Sequence, residues 1–456
     1  MVAQFDLFEG DVDGSASLLG ELLNTAAAVL IKKLSNNDRD WAQLANKHQA
    51  GVYIPPAQRD GGFFAPLVTK LRHDPSSPEI RETRFRTEWP QIGGVRESTR
   101  LVHYTSKGSE THMTGLPKAA FSSLAPASLL VMGRYRDGEG GAFFYRCLTI
   151  DSASDDAIVL ADTFGLDASF SVGEFEPALA LAAERDRILD FAEQAIGAWL
   201  DGSIAEFSRV NAVMPTTVVL AEMARAKYLE ENGLANLDPF VLAFPGDAVR
   251  EISRTVEWDL FREYQRRERA IAIVRTVLGD RPGEVTAAGM IRSLIDNVGE
   301  IDRLMLSASQ QRKSRAGYSF EHQIEAMLIH GSLPFAKQVV IDAKKRPDFV
   351  LPSLKQFRNP VAGTPPAIIL SAKTTLRERW KQVQREMTGK ELFLATVDEA
   401  IAANAIEDME ALGIVLVVPE TLKKSTDTEY VRHENVIGFK HFFMEEIARL
   451  RLIGWR

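Results

Sequence analysis

The sequence predicts a chain of two dissimilar parts, a β-rich amino-terminal domain and a mixed α+β and α/β second part whose core is a mixed sheet flanked by helices. Three observations carry this. Before about residue 176, short apolar runs are separated by Gly, Asp and Ser turns, as in a barrel-like or sandwich domain. From about Pro177 the apolar period lengthens to that of helices. From about Tyr318 strands and helices alternate, the order of a sheet covered on its faces.

Taken in order, Val29-Leu-Ile-Lys-Lys-Leu34 and Ala50-Gly-Val-Tyr-Ile54 read as strands, with Ser35-Asn-Asn-Asp38 as turn chemistry between them. Thr99 to Thr105, Ser128 to Tyr135, Ala142 to Ile150 and Ala157 to Leu160 supply further strands. Leu179 to Leu200 reads as one or two helices ending at Asp201-Gly-Ser203. This divides the chain into a domain over 1–200, a linker over 201–213 and a second domain over 214–456. Helical patterns follow at Thr217 to Asn232, Asp247 to Leu278 and Glu284 to Ser307. Tyr318 to Ile329 is a helix, and Lys337 to Ile341 and Asp348 to Leu351 are strands joined by a Lys-Lys-Arg turn. Then come strand Ala367 to Ala372, a helix to about Met387, strand Leu392 to Thr396, helix Val397 to Leu412, strand Ile414 to Val418 and a terminal helix near Phe439 to Leu452.

Composition excludes several classes. With 45% apolar and 25% charged residues the chain is an ordinary globular protein, and its most apolar stretch, Ala178 to Ala183, is far too short for a bilayer span. The start Met-Val-Ala-Gln-Phe-Asp lacks a basic region followed by an apolar core, so no secretion signal is expected. One cysteine, Cys147, permits neither an internal disulfide nor a cysteine metal cluster, and a reducing cytoplasm is the expected location. The net charge of −8 conceals basic islands. Leu304 to Tyr318 holds three basic residues and no acidic one, and Lys373 to Lys390 holds six basic residues against Glu378 and Glu386. Such islands suit contact with DNA through chosen surfaces, although a solvated helix face reads the same way.

The chemistry concentrates around Ser371 to Glu386. Pro347-Asp348 puts a carboxylate at the start of one apolar strand, and Lys373 ends the next. Together they fit a phosphate-sized site in which the acid binds a divalent cation and the lysine orients water and steadies developing charge. This is the logic of the PD-(D/E)xK nucleases. Taken alone, Pro-Asp is more often a turn and such a lysine a solvated strand end. Ser371 stands where the archetype has its second acid, so Glu386, thirteen residues beyond Lys373 on the following helix, is the candidate to complete the site. Arg377-Glu378-Arg379 between them has the donors and acceptor to read adjacent C·G pairs in the major groove, and is otherwise an exposed helix triplet.

Four segments together resemble the EcoRII-type restriction endonucleases, the branch of that superfamily that cuts beside CC/GG. They are Arg312-Lys-Ser-Arg-Ala-Gly317, Pro347-Asp-Phe-Val-Leu-Pro-Ser353, Lys373 to Val383 with Glu386, and Val415-Leu-Val-Val-Pro419. The resemblance implies a restriction-endonuclease-like core with Asp348, Lys373 and Glu386 as catalytic residues and Mg2+ held by Asp348 and Glu386. It maps the family's early helix glutamate to Glu321, with Glu325 as the alternative, and implies base recognition by Arg377, Glu378 and Arg379. Ser371 departs from the family's serine spacing. Phe357 stands where the family can carry a tyrosine, so no phenolic nucleophile is available there.

Leu30 to Asp38 and His48-Gln-Ala-Gly-Val-Tyr-Ile-Pro55 are similar to the start of the family's effector domain, a DNA-binding pseudobarrel that binds a second copy of the site and restrains the nuclease until occupied. By position His48, Tyr53, Arg96 and Arg100 would face effector DNA; His48 and Tyr53 equally fit structural roles. The expectation is therefore a homodimeric, effector-activated type II enzyme acting on double-stranded DNA beside a companion DNA methyltransferase. A non-cleaving DNA-binding protein and a structure-specific repair nuclease are the alternatives.

Overall fold

The computed structural model describes residues 14–44, 51–70, 79–138, 140–152, 154–167, 169–301, 319–341, 346–360, 362–376 and 391–455. The chain forms two compact units. The first comprises Met1–Ala183 with Glu399–Ala402 and Thr426–Glu429, and the second comprises the remainder. The division falls inside the helix Pro177–Leu200, and residues 201–213 carry a further helix, Ile204–Asn211.

In the first unit the strands are β1 (Ala28–Lys33), β2 (Val52–Tyr53), β3 (Val68–Thr69), β4 (Ile80–Trp89), β5 (Gly94–Tyr104), β6 (Thr111–Thr114), β7 (Leu129–Arg136), β8 (Phe143–Ile150) and β9 (Val172–Phe175). They form one sheet in the order β2-β6-β5-β4-β8-β7-β1-β9, with β3 on β4. The β-rich first domain expected from the sequence is therefore present. β1 and β7 open on unbroken apolar runs, Ala28 to Ile31 and Leu129 to Met132, whose side chains are mostly buried on both faces. In β1, Leu30 enters one core with Trp41, Val52 and Tyr145, while Val29 and Ile31 enter another with Leu19, Leu22 and Leu160. That alternation is the two-residue period of a strand.

Two local expectations are corrected. Ser35-Asn-Asn-Asp38 is not a turn but the start of the helix Asn36–Gln43. Ser35 Oγ accepts from the Asp38 N–H at 3.3 Å and the Asp38 carboxylate accepts from the Ser35 N–H at 3.0 Å, a reciprocal cap. Turn-forming and capping residues are the same chemical types, and here the cap prevails. Ala157 to Leu160, expected as a strand, lies in the helix Asp155–Phe164. Ser154 caps it through the Ala157 N–H, Asp155 and Asp156 sit in its first turn, and Gly165 at φ 63° closes it.

The second unit opens with the helices Thr217–Glu231 and Pro245–Glu251, the latter running through a wider-wound turn, Ile252–Val256, into Glu257–Leu278. Its sheet contains β10 (Ala336–Lys337), β11 (Phe349–Leu351), β12 (Ile368–Lys373), β13 (Leu392–Thr396), β14 (Ile414–Val418) and β15 (Val436–Gly438) in sequential order. β10, β11 and β12 pair antiparallel; β12 to β15 are parallel. This is the mixed sheet expected. β10 is shorter than the expected Lys337 to Ile341, because its pairing ends at Lys337 and the chain turns at Gln338. The helix expected from Val397 begins only at Ala403, since Asp398 is used to hold the loop after β12.

Candidate active site

The carboxylate and lysine expected from the sequence meet at one end of β11 and β12, inside the second sheet. β11 pairs with β12 so that Phe349 faces Leu370, and continuing the register by one places Asp348 opposite Ser371. Asp348 Oδ2 accepts from the Ala372 N–H at 2.7 Å and from Lys373 Nζ at 2.6 Å. Asp348 is 9% exposed, so this carboxylate is held by a backbone donor and an ammonium rather than by bulk water. The same register sets Ser371, fully buried, directly across from Asp348 in the place where the archetype has its second acid.

Glu321 joins this pair from the helix at 319–330. It is 8% exposed, and its Oε1 accepts from Gln338 Nε2 at 2.8 Å with Lys337 Nζ 3.9 Å away. Burial raises the Glu321 pKa and the negative charge of Asp348 raises it further, while the Gln338 hydrogen bond, Lys337 and Lys373 oppose the shift. Glu325, one turn on, is differently engaged: it pairs with Lys337 at 2.5 Å and lies 3.6 Å from His322 Nδ1. Phe357 is buried in the helix Leu354–Arg358.

Beyond Lys373 the chain is pinned once more before it leaves the described residues. The Leu376 N–H donates to Asp398 Oδ2 at 2.7 Å, and the Asp398 N–H donates to Thr396 Oγ1 at 3.0 Å. Arg377, Glu378, Arg379 and Glu386, and the segment Arg312 to Gly317, lie outside the described residues. Asp398, Gln338 and Lys337 were missed by the sequence reading. Lys337 ends β10, Gln338 and Asp398 sit in connections, and none of the three belongs to a motif that the sequence marks as chemical.

Among the described residues no three His, Cys, Asp or Glu side chains converge as a metal centre. Asp348 and Glu321 nevertheless offer the hard oxygen donors that Mg2+ takes, and Mg2+ is commonly held by one or two carboxylates with substrate phosphates and water completing its shell.

In the first unit, the described candidate effector-DNA residues fall on β2 and β5, which flank β6. Tyr53 on β2 faces His112 on β6, their rings 5.9 Å apart and edge to face, and its N–H donates to Asp38 Oδ1 at 2.7 Å. Arg100 on β5 pairs with Thr114 of β6 and with Arg84 of β4, and its guanidinium lies 3.4 Å from Glu82 and 3.2 Å from the Tyr104 hydroxyl. Arg96, exposed, pairs with Thr87. His48 lies outside the described residues. Arg84 was missed because β4, Ile-Arg-Glu-Thr-Arg-Phe-Arg-Thr-Glu-Trp, has too few apolar residues to read as a strand.

A mixed sheet that brings a buried carboxylate and a strand-end lysine together is the arrangement expected from the sequence motifs. Residues 283–443 match the family model described as EcoRII C terminal. The chain is 25% identical over 411 residues to the type II restriction enzyme EcoRII of Escherichia coli, covering 87% of this chain and 88% of that relative. It is 32% identical over 148 residues to the type II restriction enzyme SsoII of Shigella sonnei, covering 30% of this chain and 47% of that one. A solved structure of metal-depleted Ecl18kI with uncleaved, modified DNA aligns at 22% identity and a TM-score of 0.43, over 53% of this chain and 81% of that one. The resemblance to EcoRII-type restriction endonucleases drawn from the sequence motifs is borne out.

Proposed function

We propose that this protein is an effector-activated type II restriction endonuclease that hydrolyses double-stranded DNA at a CC/GG-containing sequence with Mg2+. The observation that carries the reading is the contact of Lys373 Nζ with Asp348 Oδ2 at 2.6 Å, with the buried Glu321 carboxylate near enough to feel both charges. Asp348 and Glu386, with Glu321, would hold the cation, which when bound supplies Lewis-acid stabilisation of the phosphate charge. Lys373 orients the attacking water and steadies the developing charge on the phosphate. Phosphorus–oxygen cleavage in line leaves a 5′-phosphate and a 3′-hydroxyl. Arg377, Glu378 and Arg379 read the C·G pairs, each good bidentate contact discriminating by roughly 1–3 kcal/mol.

Cutting both strands takes two such sites, which a twofold homodimer on a palindromic sequence supplies. Tyr53, Arg96 and Arg100, with His48, face the second DNA copy. Cleavage inside a cell requires a methyltransferase that protects the same sequence, and both enzymes work in the cytoplasm where the DNA is. Among the described residues no helix is long and apolar enough to cross a membrane. Incubating the full chain with Mg2+ and plasmid tests the reading. Discrete fragments whose sequenced ends share a CC/GG element are expected; retarded but uncut DNA, or cutting only at forks and flaps, would overturn it.

A further inference from the structure

Gln338 stands at the point where β10 ends, and its backbone is left-handed, φ 49°, an uncommon and strained conformation for a residue with a side chain. Three hydrogen bonds hold it there. Its N–H donates to the Asp348 carbonyl at 2.9 Å, its carbonyl accepts from Arg346 Nε at 2.7 Å, and its side-chain Nε2 donates to Glu321 Oε1 at 2.8 Å. One residue thus fixes the main chain of the strand that delivers Asp348 and the carboxylate of the helix that faces it. The left-handed turn is what lets the main chain pair with β11 while the amide reaches back to the helix.

We infer that Gln338 is a positioning residue for the cation site: it sets the Glu321 carboxylate against Asp348 so that both converge on one divalent ion. This rests on the proposed metal-dependent reading of the site. A carboxylate that is 8% exposed has little water to orient it, so the Gln338 amide is the contact that fixes its direction. The amide donor leaves one carboxylate oxygen occupied and the other to the ion. Lys337, from the neighbouring position, is committed to Glu325 at 2.5 Å and stands 3.9 Å from Glu321, so the neutral amide rather than the ammonium makes the close contact. A neutral donor orients the carboxylate without cancelling the charge that attracts a cation.

The test uses Mn2+ as the probe, titrated into the full chain and followed by the electron paramagnetic resonance of the free ion, with thermal unfolding recorded alongside. Q338M keeps the side-chain length and the left-handed strain but has no donor; Q338G relieves the strain and also has no donor. Both variants should raise the half-saturating Mn2+ concentration about tenfold, the range seen when a partner that orients a metal ligand is removed. E321Q should do the same, and Q338M combined with E321Q should lose no more than E321Q alone. Wild-type Mn2+ binding in either Gln338 variant would overturn the inference. So would affinities that rise and fall with the unfolding temperature across Q338M and Q338G, or additive losses in the double variant, since each marks a fold role only. Wild-type chain that shows this Mn2+ dependence yet leaves plasmid intact would sustain the positioning role while removing the nuclease reading.

Discussion

Among the described residues Lys373 makes its hydrogen bond to Asp348, and Asp348 has two donors on its Oδ2, so the pair is asymmetric at the level of the residue. Lys373→Ala removes the ammonium but leaves the Ala372 N–H on the carboxylate, and the strand keeps its pairing to β13 through Thr396. The expected result is loss of plasmid cleavage by about a thousandfold or more with DNA binding retained. Gel retardation beside a cleavage time course separates the two, and substantial residual cutting would remove this lysine from the mechanism. Arg379→Ala belongs to the same scale but to recognition. It should weaken binding to the cognate sequence far more than binding to unrelated DNA, by roughly 1–3 kcal/mol at its base pair. Competition titrations at fixed salt read this, and equal losses on both DNAs would mean a phosphate contact.

At the scale of elements, what was legible and what was not follows from where the signal lies. β12, β13 and β14 were legible because parallel strands covered on both faces leave uninterrupted apolar runs. β4 was not, because its alternation is Arg, Glu and Thr against few apolar residues, and pairing with β5 and β8 makes it a strand all the same. Asp348 and Lys373 could be picked out because a charged residue at the end of an apolar run escapes the core. Gln338 and Asp398 could not, since their roles depend on a backbone turn and on a loop brought in from 22 positions away. The helix Pro245–Glu251 shows the same dependence on tertiary partners. The Glu420 carboxylate accepts from the N–H groups of Gly246 at 3.0 Å, Asp247 at 3.1 Å and Lys440 at 2.7 Å. A Cβ at Gly246 would come within 2.6 Å of the Phe439 ring and 2.8 Å of Pro419 Cα. Gly246→Ala should therefore cost about 1–3 kcal/mol in denaturant unfolding, and a change within 0.5 kcal/mol would show that the helix start shifts freely.

At the scale of the whole molecule, the division of the chain decides how the proposed restraint by the amino-terminal domain should be tested. Three ties lie inside the first unit: Lys33 Nζ to Glu399 at 3.0 Å, Asn36 Nδ2 to the Thr428 carbonyl at 2.7 Å, and Arg39 to Glu429 at 3.2 Å. Glu399 and Glu429 are far along the sequence yet count with residues 1–183, so deleting those residues removes the partners of two sparingly exposed carboxylates. The cut must also spare the second unit's own packing. Arg266 binds Glu184 with two contacts of 2.8 Å, and Ala195, Ala198 and Trp199 share a core with Ile204, Ile271 and Val274. A chain beginning at Ser203 would lose all of these, whereas one beginning at Glu184 keeps them. The 203–456 chain should accordingly unfold at a lower temperature than the 184–456 chain, because a buried tryptophan and its neighbours are gone. With folding so controlled, the 184–456 chain should cut DNA carrying one copy of the site faster than the full chain, at equal Mg2+ and protein concentration. If it cuts more slowly while unfolding at a normal temperature, the amino-terminal domain is an activator of the nuclease and not its restraint.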